Sequence, residues 1–374
     1  MPGRVRSVDT RLLEPWEPPG RRLYAGADWG DMSKSKLELS RARILAYRQR
    51  VGALDGRLPP GRSSVRRAGL AGFQDSMPRA ALLSIHARVE RTEPTTLDDP
   101  YLVQLWGPRF NVYVVDKRDR AAFSLGRLAV DPAGREKAEG LANRLASLLA
   151  GDEMPFGKAG RALGVHPNQL RYAAPTGTVL LRWDGANQPV VRSVPPPDID
   201  PGDARKALAR RYLHVYGPAT PEGFTRWAGI GNKQCATTFE ALGTALIPVR
   251  VPTGVAWILA EDESEMLADP GPSAHVRLLP SGDAYYLCWG DDRKLLVTRL
   301  ARRDELWTSR VWPGAVLVEG DIVGTWRRSE HKVAIQPWRR LSRRQRDAIE
   351  AEVLALPLPG IERPLDIRFE EVAG

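Results

Sequence analysis

From Ser40 onward, Ile44, Leu45, Arg48 and Val51 fall at helical spacing, and this period predicts a first helix. A short second helix is expected over 64–73. After Gln74, Asp75 and Ser76 a third helix is expected, carrying Leu82, Leu83, Ile85, His86 and Val89. Pro78 falls in its first turn, where the ring is tolerated because the first amides have no intrahelical partner. Two strand-like runs follow, 102–106 and 110–115, joined by Gly107 and Pro108. Three helices and a hairpin make a winged helix.

The same order then returns. A short helix over 154–163 closes at Gly164, and the turn Val165, His166, Pro167 leads into a helix from Asn168. Runs 179–183 and 188–192 form a hairpin about Asp184 and Gly185. In a third copy Ala204, Leu208, Tyr212 and Val215 share one helical face, stopped by Gly217 and Pro218. Thr220 caps a helix starting at Pro221 and ended by Gly229, Asn232 caps another, and strands 246–251 and 255–259 follow. Beyond about residue 270 the pattern becomes short strands with Gly turns, at 275–279, 284–288, 294–300, 315–318, 322–326 and 333–335. A late helix begins at Ser342, where Ser342 and Gln345 have capping-box spacing, and Pro357 stops it.

The expected fold class is mixed α/β (α+β): tandem winged-helix units followed by a C-terminal β-barrel. The expected divisions are a tail at 1–31, winged-helix units at 32–150, 151–200 and 201–269, and the barrel with its terminal helix at 270–374. The tail is rich in Pro, Gly and Arg and precedes Met32, so it reads either as a mobile segment or as an extension ahead of the true start.

Composition narrows the function. The 374 residues include 43% hydrophobic positions and 11 Trp, enough for packed cores. Cys235 and Cys288 lie far apart and near no His pair, which argues against a disulfide framework or a zinc site. No apolar run reaches the length of a membrane span, and the N-terminus has no apolar signal core, so a cytoplasmic protein with no membrane partner is expected. The net charge of +10 calls for an anionic partner. Between Trp326 and Arg346 eight Arg and Lys stand against the single acid Glu330. That strip is either a solvated face or a phosphate-contacting surface, on which Arg forks onto phosphate and Trp stacks.

Four stretches resemble one family. They are Tyr212-Leu-His-Val-Tyr-Gly-Pro-Ala-Thr-Pro-Glu-Gly-Phe-Thr-Arg-Trp-Ala-Gly229, Leu279-Pro-Ser-Gly-Asp-Ala-Tyr-Tyr-Leu287, Val318-Glu-Gly-Asp-Ile-Val-Gly-Thr-Trp-Arg327 and Ala71-Gly-Phe-Gln-Asp-Ser76. Together they are similar to the winged-helix DNA-binding family of the AlkZ and YcaQ DNA glycosylases. The resemblance implies winged helices arranged around DNA, a C-terminal barrel, and removal of alkylated or crosslinked bases without strand cleavage. It also implies a Gln-X-Gln or Gln-X-Asp catalytic triplet. Here Gln74 matches the first position, Asp75 fills the usually apolar middle, and Ser76 stands where the second amide or carboxylate belongs.

Hydrolysis of an N-glycosidic bond needs a positioned water and stabilisation of a cationic sugar, and alkylation already makes the base a good leaving group. Gln74 can orient a water, Asp75 can take its proton or balance the oxocarbenium charge, and Ser76 can hold a water. Equally, Asp75 or Ser76 can be an N-cap. No cofactor and no metal are called for. Arg109 and Tyr113 on the first wing either line a DNA-facing cleft or pack internally. Arg171, Trp183 and Lys233 have the placement of recognition-helix and wing contacts, whereas His166 reads as a turn residue. Asp283 and Arg293 flank a hairpin that looks like a DNA-probing element of those glycosylases or, equally, an ordinary barrel turn. Arg327, Arg328, Arg339 and Arg340 are the candidate phosphate contacts of the basic strip. The expected partner is damaged duplex DNA, bound by a monomer; a non-catalytic DNA-binding regulator is the alternative.

Overall fold

A computed structural model describes residues 37–77, 79–183, 187–269, 271, 275–360 and 364–372. The stretch 1–31, Pro78 and the Asp184 and Gly185 turn lie outside the described residues.

Helix α1, Arg41–Val51, starts where the Ser40 hydroxyl accepts the Arg43 amide. Helix α2, Arg62–Ala68, ends at Gly69, earlier than its apolar spacing suggests. The chain there turns to lay strand β1, Phe73–Gln74, against the first hairpin, with Gln74 opposite Tyr113. Helix α3, Ala80–His86, is buried along its whole length. Strands β2, Leu102–Trp106, and β3, Val112–Asp116, pair antiparallel from Leu102↔Asp116 to Trp106↔Val112. Their connection, Pro108–Phe110, is a 3-10 turn in which Arg109 and Phe110 both hold a left-handed backbone, φ 56° and 58°. The strand expected from 110 therefore starts two residues later.

Helices α4, Arg120–Phe123, and α5, Pro132–Leu149, lead to strand β4, Glu153–Pro155, helix α6, Phe156–Ala162, and a 3-10 run, Pro167–Thr176. Strands β5, Val179–Arg182, and β6, Val190–Ser193, form the second hairpin. The two hairpins do not stand apart. Gln104 pairs with Leu181, and six strands join in the order β1-β3-β2-β5-β6-β4. Trp106, Leu145, Leu149, Leu170 and Val191 pack into one core beneath this shared sheet.

Helices α7, Pro201–Tyr216, α8, Pro221–Ala228, and α9, Asn232–Leu242, precede a two-stranded sheet of β7, Leu246–Val251, and β8, Gly254–Leu259. Gly231, rather than Asn232, is the cap residue of α9, with its amide on the Gln234 side chain. The Tyr212 ring lies 5.3 Å from Phe224 and 5.2 Å from Trp227, which is fully buried. Gly223 is confined by this cluster, because a Cβ there would come within 2.5 Å of the Tyr212 hydroxyl. Asp119 accepts from Arg66 of α2 and from Arg211 of α7, each at 2.7 Å, and so fastens the first helices to the third group.

After α10, Glu263–Leu267, the C-terminal sheet comprises β9, Val276–Leu279, β10, Gly314–Val318, β11, Asp321–Ser329, β12, Lys332–Pro337, and β13, Asp366–Phe369. Among the described residues its order is β13-β12-β11-β10-β9, with β13 and β9 as edges, so the expected closed barrel is not found there. Two of the six expected strands are helical or turn. Residues Ala284–Tyr286 make a 3-10 turn that points the Tyr286 hydroxyl at the carbonyls of Pro280 and Pro313, and 294–300 is shared between α11, Asp292–Leu296, and α12, Leu300–Leu306. Helix α13, Arg343–Leu354, carries the expected Ser342 and Gln345 capping box and buries Ile349 and Val353 in the core of this sheet.

Candidate active site

The Gln-Asp-Ser turn links edge strand β1 to α3, and alternation along an extended chain sends its side chains different ways. Gln74 is half-buried, with its side-chain oxygen 3.5 Å from the Tyr113 hydroxyl. The loop after β9 closes over it: Gly282 has φ 76°, and a Cβ there would meet Gln74 Nε2 at 2.7 Å. Glycine is needed here both for its backbone angle and for the approach of the amide.

Asp75 points inward and is 2% exposed. Its Oδ1 accepts the Ala81 amide at 3.0 Å, which caps α3, and its Oδ2 accepts from Gln104 Nε2 at 3.1 Å. Burial pushes its carboxyl up to about 6, while these donors and the nearby Arg79 pull the other way. Gln104 escaped sequence reasoning. It sits mid-strand in β2, and its amide also spans the Trp183 backbone, donating to the carbonyl at 3.0 Å and accepting the N–H. The one signal was a polar residue at an interior position of an otherwise apolar strand, Leu-Val-Gln-Leu-Trp. The Ser76 hydroxyl is buried and has no hydrogen-bond partner among the described residues.

Loop 280–283 is anchored from the other side. Asp283, 1% exposed, takes both Arg88 guanidinium nitrogens at 2.7 Å, the Ser84 hydroxyl at 2.7 Å and the Tyr285 amide at 2.9 Å. Its role in the structure is to fix the loop to α3.

The candidate DNA contacts divide into two sets. Several are occupied internally. Tyr113 is 2% exposed and faces Gln74. The Arg109 guanidinium stacks on Trp289 at 4.7 Å, and Arg293 donates to the Cys288 carbonyl while lying over Trp307 and Trp312. Arg171 lies over Tyr172, and the Trp183 indole donates to the Asn187 carbonyl. His166 accepts the Asn168 amide at 3.2 Å and caps the 3-10 run. The others face solvent: Lys233 in the first turn of α9, Arg327 and Arg328 on β11, and Arg339 and Arg340 ahead of α13. Both cysteines are buried and unlinked, and burial pushes each thiol up to about 12. Among the described residues no group of three or more His, Cys, Asp or Glu is placed to hold a metal, and no helix is long and apolar enough to cross a membrane.

A family model described as "DNA glycosylase AlkZ-like" matches residues 65–357. An "Interstrand DNA cross-link repair glycosylase" of Streptomyces sahachiroi is 29% identical over 157 residues, 41% of this chain and 42% of that protein. The matched region thus spans less than half of that relative's length. The solved structure of "Streptomyces sahachiroi DNA glycosylase AlkZ" has the same fold, with a TM-score of 0.73 at 20% identity, covering 89% of this chain and 100% of that one. The match across both the Gln-Asp-Ser turn and the aromatic core of α7 and α8 makes this chain a member of the AlkZ-like DNA glycosylase family.

Proposed function

We propose that the protein is a monofunctional DNA glycosylase that hydrolyses the N-glycosidic bond of alkylated or crosslinked bases in duplex DNA, acting as a monomer. The observation that carries this reading is the turn itself: a half-buried Gln74 amide that meets the Tyr113 hydroxyl and Gly282, and, two residues on, a buried Ser76 hydroxyl with no partner among the described residues. A water held by the amide and the hydroxyl is oriented for attack on the anomeric carbon: the C–N bond breaks with its electron pair on the cationic base, which leaves neutral, the C–O bond forms, and the water's proton passes to solvent. Asp75, with both oxygens engaged, fixes the turn and places a negative charge behind the developing oxocarbenium ion. In this reading the helix and hairpin groups serve as tandem winged helices. Lys233 and the exposed arginines of β11 and the α13 approach take the phosphates.

The test is incubation of the full chain with N7-alkylated duplex, followed by alkali. Strand breaks at the alkylated purine above the enzyme-free control are expected. Tight, salt-sensitive binding without any base release instead supports the non-catalytic alternative, which the capping role of Asp75 favours.

A further inference from the structure

A cleft of about 590 Å³ opens beside the Gln-Asp-Ser turn, and neither Gln74 nor Asp75 lines it. One wall is Met77, Ala80 and Leu83 from the turn and α3; the opposite wall is the outer part of β11 and β12, with Val311 and Trp312 between them. Its interior is apolar. Its rim is cationic, with Arg327, Arg328, Lys332 and Arg368 all lining it. Arg368 is neutralised by Asp366 at 2.8 Å. Arg327 donates to the Val311 carbonyl and Arg328 to the Glu330 carbonyl, so neither of these bonds neutralises its charge. No carboxylate lines the cleft among the described residues.

An apolar cleft edged by cations is complementary to an uncharged ring flanked by anionic groups. In nucleic acid that unit is a single unstacked nucleotide. The volume falls within the range of about 300–1,000 Å³ typical of small-ligand clefts. Trp312 is half-buried, with the Arg293 guanidinium 5.4 Å from its ring centre, the Tyr286 ring 6.2 Å away and its indole N–H on the Thr308 carbonyl, so the part of the ring that lines the cleft is already ordered when a base arrives. Met77, 37% exposed, faces the same space.

We propose that this cleft binds one unstacked nucleotide of the DNA, other than the one whose glycosidic bond faces Gln74, with its base against Trp312 and Met77 and its phosphates on Arg327, Arg328 and Lys332. The site rests on the DNA-binding part of the function proposed above and is independent of the base-release step. By holding a displaced neighbour it keeps the duplex open beside the turn.

The full chain is titrated with a fluorescent single-stranded oligonucleotide and with the same strand carrying an abasic residue at each position. The base-bearing strand is expected to bind at least tenfold tighter, since each stacked base contributes about 1–3 kcal/mol. Trp312→Ala is expected to erase that preference while leaving the salt slope unchanged. Arg328→Gln with Lys332→Gln is expected to lower the log-log salt slope by about 0.7 per phosphate lost. Val311→Glu, an exposed rim position, is expected to weaken binding without touching the interior. Circular dichroism and melting on each variant separate loss of the site from loss of the fold. Equal affinity for base-bearing and abasic strands in the wild type, or an unchanged preference in both Trp312→Ala and Val311→Glu, overturns the proposal. Base release by a wild type lacking the preference defeats only the cleft; preference without release defeats only the glycosylase reading.

Discussion

The turn at 74–77 and the loop at 280–283 face each other across Gln74, and each carries a buried aspartate. They are solved in opposite ways. Asp283 is neutralised by a two-pronged Arg88 and has two further donors, so its charge is compensated inside the protein. Asp75 receives only uncharged donors, the Ala81 amide and the Gln104 side chain, and its carboxyl is pushed up to about 6. Where a buried charge meets its counter-charge, the result is rigidity. Where its hydrogen bonds come from uncharged donors and Arg79 acts only through space, it stays close to titration at physiological pH and its field reaches its neighbours.

The largest expected effect falls on the compensated side. Arg88→Ala leaves Asp283 buried and unpaired and is expected to cost about 3–5 kcal/mol in chemical denaturation. A loss below about 1 kcal/mol breaks the contrast. Next, Gln74→Ala is expected to slow base release by roughly 10²-fold, about 3 kcal/mol on the barrier, with melting unchanged. An unchanged rate means that the water is held elsewhere.

Asp75 gives a pH signature of defined sign. Its folded pKa is raised above the ordinary 3.8 to about 6, so its contribution to stability is complete below about 4 and is lost as the pH rises through 6. Asp75→Asn is therefore expected to gain about 1–3 kcal/mol relative to wild type between pH 4 and pH 7. A difference that stays flat over that window shows that the carboxyl is not raised. Gln104→Leu removes one donor to that carboxylate and the bridge to Trp183, at an expected cost of about 1–2 kcal/mol near pH 7. In an Asp75→Asn background the cost is expected to shrink, and strictly additive losses in that double-mutant cycle deny the coupling. The smallest effect is on Ser76→Ala. Among the described residues the hydroxyl has no bond to lose, so stability is expected to change by less than about 0.5 kcal/mol while base release slows.

Local chemistry made much of the fold legible. The helix after Ser40, the Thr220 and Ser342 caps, the 102–106 strand and the buried α7 face of Ala204, Leu208 and Tyr212 depend on neighbours within a turn or a strand, and they stand where the spacing places them. What failed was set by distant packing. The alternation in 284–288 and 294–300 fits a strand equally well, but burying Tyr286 with its hydroxyl satisfied requires a turn, and Arg293 lies over two indoles from a helix. The site was half legible. Gln74 and Asp75 are adjacent and could be read together, whereas the Gln104 partner is 29 residues away and Asp283 pairs across 195 residues with Arg88. No period or spacing encodes such pairings.

The open C-terminal sheet has a consequence for solubility. Among the described residues strand β13 is paired on one side only, by parallel bonds to β12, and so offers a row of unused backbone groups to any extended chain that drifts alongside. It is only four residues long and carries Asp366 and Arg368, which hold each other at 2.8 Å. A second copy docking edge to edge would have to strip water from both charges, so this short charged hem keeps the sheet from growing beyond the molecule.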